Sequence, residues 1–251
     1  MALIIFLIGT ILGSFYLVIA TRLPECEDVI SSRSKCDYCN HPLKWYNLIP
    51  IFSFMFQKGK CTYCGKDINI LHLLVELATG CLFLFTYVIF GLSYYFYIGL
   101  IISSLLVIIF VSDFKYMIIL DSPLIIASIL IIFLKYKYFG IGSILLSLIS
   151  GLSLVLLMYF IMFIGNKIYK KESLGGGDIK FSFVIGLILD FEMGLVVLIL
   201  STFLALPFAL ASLYLKKNSE FPYGPFLAGA LLIVFYNLDK FYSLVNYLFM
   251  R

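Results

Sequence analysis

Two aspartates, Asp113 and Asp178, and four cysteines, Cys36, Cys39, Cys61 and Cys64, are the residues whose types and spacing could do chemistry in this chain. Asp113 follows one long apolar run, and Asp178 lies in Glu172-Ser-Leu-Gly-Gly-Gly-Asp-Ile-Lys180, just before another. A carboxylate in or beside a membrane segment is costly enough to mark a functional candidate. Two such groups brought together can share a proton across a water molecule. One then acts as base on the water while the other protonates a peptide carbonyl and later the leaving amine. Like charges in close contact make the pair titrate jointly. The three glycines put no side chains beside Asp178, which frees the backbone and lets another chain approach closely. A plainer reading stays open, in which the glycines form a turn and Asp178 caps the next helix.

The cysteines fall in two pairs, Cys36-Asp-Tyr-Cys39 and Cys61-Thr-Tyr-Cys64, and the surrounding residues read as an internal repeat. Each pair can chelate one metal ion in a tight turn, and two pairs complete a tetrahedral zinc site. Disulfides are the alternative, but a reducing compartment and this spacing favour zinc. Four thiolates leave no open coordination position, so the metal would staple a small loop domain and do no chemistry. Cys26 and Cys81 fall outside the repeat and are expected to be free thiols. Between the pairs, Trp45, Tyr46, Phe52 and Phe54, flanked by Lys44 and Lys58, suit a lipid headgroup zone, which predicts a loop lying against the membrane.

The elements that must position these residues are membrane helices. Of 251 residues, 63% are hydrophobic and 13% charged, with a mean hydropathy of +1.07. A water-soluble globule would be nearer ~45–50% apolar. The fold class expected is an all-α polytopic membrane protein with about eight transmembrane helices and a small cytoplasmic zinc-binding loop domain. The apolar runs are 2–20, 71–90, 94–112, 117–134, 139–164, 179–189, 193–215 and 224–238; the sixth is short, so seven spans is the alternative. The first run lacks the basic start and cleavage site of a signal peptide and is read as a span. Three domains follow: residues 1–21 as the first span, 22–70 as the cytoplasmic loop with the four paired cysteines, and 71–251 as a membrane core.

With the N-terminus outside, 14 of the 18 Lys and Arg residues fall in inner segments, as orientation by positive charge requires. That topology puts residues 22–70, Asp113, Asp121 and Asp178 on the cytoplasmic side. The net charge of +4 suits loops facing anionic lipid, and no nucleic-acid partner is expected. Gly9 and Gly13 share a helix face and predict close packing on a neighbour. Glu76, early in the second run, reads either as a functional carboxylate or as an interfacial cap.

Taken in order, these motifs resemble the GxGD aspartic proteases, specifically the type IV prepilin leader peptidases. The likeness runs through the opening helix ending in Arg22-Leu-Pro24, the paired cysteine loop with Trp45 and Leu48-Ile-Pro50, and Glu76. It continues through Asp113 with Asp121, Gly-Gly-Gly-Asp178-Ile-Lys, and Pro222-Tyr-Gly-Pro-Phe-Leu-Ala. The resemblance implies that Asp113 and Asp178 are the catalytic pair and that the 71–251 core is an aspartic endopeptidase. It implies a substrate class too: type IV prepilins or pseudopilins, whose basic leader is cut at the cytoplasmic face of the bacterial cell membrane. Many members then N-methylate the new amine with S-adenosylmethionine, an activity linked to the cysteine loop region. The small size and short loop resemble members serving competence pseudopili.

Two departures accompany the likeness: Leu120 stands where the family usually has Pro, and the segment from Pro24 to Cys36 is short. Asp121 is accordingly not counted as catalytic. Two readings from other classes remain at this point, a transporter relaying protons through the paired aspartates and a non-enzymatic assembly scaffold.

Overall fold

The computed structural model describes residues 1–29, 33–170, 174–214 and 221–249. Lys171, Glu172, Ser173, Lys216, Lys217 and Arg251, which entered the charge count or the glycine-aspartate stretch, lie outside the described residues. The chain is helical, and two isolated β-bridges are the extended pairings among the described residues. It divides into two compact units, residues 1–96 and 97–251.

The first unit holds α1 (Ala2–Arg22), a 3-10 turn (Trp45–Leu48), the short α2 (Phe52–Phe56) and α3 (Leu71–Phe90). Helices α1 and α3 pack through small residues. A Cβ built on Gly9 would lie 2.9 Å from Gly80 Cα, and one on Gly13 would lie 3.0 Å from Val75 O. Bare backbone is what lets two membrane helices come this close, since lipid supplies no hydrophobic drive between them. The packing expected of Gly9 and Gly13 is therefore present. Glu76 is not an interfacial cap: it is 7% exposed, and its Oε2 accepts the Ile51 N–H at 2.8 Å.

The second unit contains most of α4 (Tyr94–Tyr116), then α5 (Asp121–Phe139), α6 (Ile141–Tyr169) and α7 (Gly176–Ile188), followed by α8 (Phe191–Tyr214), α9 (Gly224–Tyr236) and α10 (Leu238–Phe249). Helix α7 packs on α5 and α6, and α9 packs on α8. At the α6–α7 contact, a Cβ on Gly186 would sit 2.5 Å from Gly151 Cα.

Every predicted run becomes a helix, yet among the described residues six helices are long and apolar enough to cross a membrane, or seven if the bent pair α9–α10 counts as one. Helices α7 and α9 have 13 residues each, about 20 Å at 1.5 Å per residue, against a hydrocarbon core of about 30 Å. Both are largely interior, with nine residues of α7 and eight of α9 buried. At Asn237 the chain turns by 88° into α10, whose charged Asp239 and Lys240 are exposed.

Candidate active site and metal centre

Asp113 and Asp178 both belong to the second unit, and each is 7% exposed. Helix α4 runs one turn beyond the predicted end at residue 112, which puts Asp113 inside its last turn. Asp178 is not the helix cap: α7 begins at Gly176 with Gly175 as its N-cap, so Asp178 is its third residue, in the acidic-favoured first turn. The two carboxyl groups flank a common residue, Ile119, which faces both Gly177, next to Asp178, and Gly224, whose amide bonds Asp113.

Three glycines shape the space around them. The Gly224 N–H, at the start of α9, donates to Asp113 Oδ2 at 2.9 Å. A Cβ on Gly175 would sit 2.9 Å from Asp178 Oδ2. Gly177 faces Ile119, whose Cβ would be 2.7 Å from an added methyl, and Ile119 Cδ1 reaches within 2.9 Å of the same position on Gly224. Ile119, on the α4–α5 connector, thus wedges between the backbone at Asp178 and the backbone that holds Asp113. Asp178 Oδ1 is buried with no hydrogen-bond partner among the described residues. Such an atom is expensive to leave unpaired and is suited to an incoming water or peptide.

Asp121 sits elsewhere: it is exposed and takes both oxygens to Lys180 Nζ at 2.7 Å, pinning the start of α5 to the start of α7. An exposed pair of this kind contributes roughly 0–1 kcal/mol. The two prolines mark Pro222-Tyr-Gly-Pro as a stiff frame, but sequence reasoning missed that the Gly224 amide is the partner of Asp113. The glycine between prolines was the available signal.

The cysteines of the first unit gather as the repeat predicts. Their four Sγ atoms all lie within 4.8 Å of one another, with Cys36 and Cys64 at 3.9 Å. Sulfurs at the corners of a tetrahedral zinc site are about 3.8 Å apart when each Zn–S bond is about 2.3 Å. The donor set and spacing fit a metal ion such as zinc. Each contact of the first turn recurs in the second. Cys36 N–H donates to His41 O at 3.1 Å and Cys61 N–H to Lys66 O at 2.8 Å. Lys35 bridges to Pro42 as Lys60 does to Asp67.

The halves are also crossed. The His41 ring stacks on Tyr63 at 3.8 Å, and Lys66 Nζ lies 4.6 Å above the Tyr38 ring. Backbone N–H groups of Cys39 and Tyr38 lower the Cys36 thiol to about 7, while Cys64, against the lowering Lys66 backbone N–H, is raised to about 11 by desolvation and by the Cys61, Cys39 and Cys36 thiols crowded around it. Cys26 and Cys81 are free and exposed.

Between the cysteine pairs, Trp45, Phe52, Met55 and Phe56 are all exposed. Ile51 takes φ +64°, an uncommon region for a β-branched residue, and the Glu76 carboxylate holds its amide there.

The family model "Bacterial Peptidase A24 N-terminal domain" matches residues 7–90, and "Type IV leader peptidase family" matches residues 100–210. The gap between the two matches falls where the two structural units divide. Curated relatives carry the name prepilin leader peptidase/N-methyltransferase. The chain is 32% identical to the one from Bacillus subtilis (strain 168), with 96% of both chains covered. It is 31% identical to the Myxococcus xanthus protein over 70% of this chain and 52% of that one. With the Vibrio cholerae protein it shares 28% identity over 92% and 95%. No solved structure matches. With the paired cysteine loop in one unit and the two buried aspartates in the other, this chain belongs to the type IV leader peptidase family.

Proposed function

We propose that this protein is a prepilin peptidase that uses Asp113 and Asp178 to cut the leader from type IV prepilin or pseudopilin precursors and then N-methylates the new N-terminus. The observation that carries the reading is the pair of buried carboxyl groups, one held by the Gly224 amide and the other with a free oxygen. In the reaction one carboxylate removes a proton from water as the oxygen attacks the scissile carbonyl, and the protonated partner donates to that carbonyl oxygen. The amine leaves with a proton from the dyad, and the two groups return to sharing one. Gly175, Gly177 and Gly224 are close-packed against Asp178, Ile119 and Ile109, whereas an added Cβ on Gly176 would meet nothing within 4 Å, so open space lies beside Asp178 at that position. A transporter reading would need acids strung along helix interiors, whereas these two sit at a helix C-terminus and a helix N-terminus.

Cys36, Cys39, Cys61 and Cys64 would hold a structural zinc ion that closes the loop of the first unit. S-adenosylmethionine supplies the methyl group when bound; among the described residues of that unit no glycine-rich nucleotide-binding turn is present, and no residue is assigned to it. The protein is a multi-pass protein of the bacterial cell membrane, and the charge distribution supports a site facing the cytoplasm.

The deciding experiment co-expresses a tagged prepilin with wild type, Asp113→Asn or Asp178→Asn and reads the product's N-terminus by mass spectrometry. Leader removal by wild type alone is expected, with the product heavier by one methyl group. Cleavage by both variants would refute the aspartyl mechanism, and an unmethylated product would remove the second activity.

A further inference from the structure

Tyr223 immediately precedes the glycine whose amide holds Asp113, and its hydroxyl lies 2.5 Å from Ser201 Oγ on α8. Ser201 is fully buried, and its Oγ donates to Leu198 O at 2.7 Å. A serine hydroxyl has one proton. With that proton given to Leu198, the Tyr223 O–H must be the donor to Ser201, which commits the phenol proton to a neighbouring helix and away from substrate. The tyrosine is therefore tied, not poised for proton transfer.

What the tie controls is the peptide plane between Tyr223 and Gly224. Tyr223 is the N-cap of α9, and its carbonyl accepts from Phe226 N at 3.1 Å and Leu227 N at 3.2 Å. Pro222 and Pro225 restrict the backbone on either side. Rotation of the remaining plane would swing the Gly224 N–H away from Asp113 Oδ2, which it meets at 2.9 Å. Tyr223 also lies close enough to Asp178 to sense its charge.

We propose that Tyr223 and Ser201 are a positioning pair that fixes the Gly224 amide on Asp113, a role that rests on the peptidase reading above. The test measures leader cleavage by purified Tyr223→Phe, Ser201→Ala and the double variant, each with its kcat, KM and thermal midpoint. Each single variant is expected to lose about tenfold in kcat, the worth of about one well-placed hydrogen bond, at unchanged KM and with the midpoint lowered by no more than a few degrees. The double variant is expected to be no slower than the singles, because all three lack the same bond. Ser201→Thr, which keeps a hydroxyl, is expected to retain activity.

Wild-type kcat in Tyr223→Phe, or losses that multiply in the double variant, would overturn the proposal. If Tyr223→Phe does not fold, Ser201→Ala removes the same bond from the α8 side and is read alone. Asp178→Asn run in parallel separates the two readings. Cleavage by that variant sinks the peptidase assignment, whereas an inactive Asp178→Asn beside a fully active Tyr223→Phe sinks the positioning pair alone.

Discussion

Gly224 and Asp113 stand 111 residues apart in the chain, and the amide of the first donates to the carboxylate of the second at 2.9 Å in a buried setting. A hydrogen bond to a charged acceptor is among the stronger ones, roughly 1.5–3 kcal/mol net. It also explains why the residue is glycine. A Cβ there would lie 2.9 Å from both Ile109 Cγ2 and Ile119 Cδ1, and 3.0 Å from Asp113 Oδ2. Gly224→Ala is therefore expected to lower leader cleavage by about tenfold or more while the protein still inserts in the membrane. Cleavage in reconstituted vesicles, normalised to inserted enzyme, checks this.

Ile119 separates the backbone at Gly177 from that at Gly224, so its bulk sets a spacing that the aspartates inherit. Truncation by Ile119→Ala should leave a cavity and cost about 2–5 kcal/mol of stability. Ile119→Val is expected to cost only about 0.5–1.5 kcal/mol and to keep most of the activity. Thermal unfolding in detergent with parallel cleavage assays measures both.

Metal analysis of the purified protein should find one zinc ion per chain. Cys36→Ser or Cys64→Ser is expected to abolish the stoichiometric metal and to open residues 33–70 to protease. A bound metal would be what closes that loop, because the segment has little buried apolar surface of its own. Retained zinc in both variants would contradict a four-thiolate site.

Glu76 accepts the Ile51 amide from within α3, and Ile51 sits at φ +64°. Glu76→Ala should strand a part-buried N–H and destabilise the first unit by about 1 kcal/mol. Glu76→Gln keeps an acceptor oxygen and should cost less. A thermal-shift comparison of the two variants distinguishes loss of the acceptor from loss of the charge.

The Gly151–Gly186 contact leaves no room at all, with an added Cβ only 2.5 Å from backbone. Gly186→Ala is expected to destabilise by about 1–3 kcal/mol through overpacking, whereas Gly142→Ala, which meets open space, should be silent. Unfolding midpoints in a common detergent report the difference.

Much of this arrangement could be read from residue order. Apolar runs located every long helix, and the repeat around Cys36 and Cys61 foretold a four-sulfur cluster, because local spacing determines each half. What could not be read came from contacts across the chain. Helices α7 and α9 look like short spans in hydropathy, yet burial within the second unit accounts for their apolar character. The helical start at Gly176 moved Asp178 from cap to first turn, since glycine boundaries follow tertiary packing as much as propensity. Glu76 offered a carboxylate with no visible partner because its partner is a backbone amide 25 residues earlier, and amides leave no mark in a sequence.

The crossed cysteine turns have a kinetic consequence. Each turn closes over a few residues through its own hydrogen bonds, Asn40 N–H to Cys36 O at 2.9 Å and Gly65 N–H to Cys61 O at 2.9 Å. Closing so short a stretch is fast compared with bringing distant segments together. The halves are near-equivalent in backbone, so capture of an ion by this cluster would be able to begin at either one, with the other closing onto it second. Assembly of the loop then has two interchangeable starting points, and a lesion that slows one half leaves the other still able to recruit the metal first.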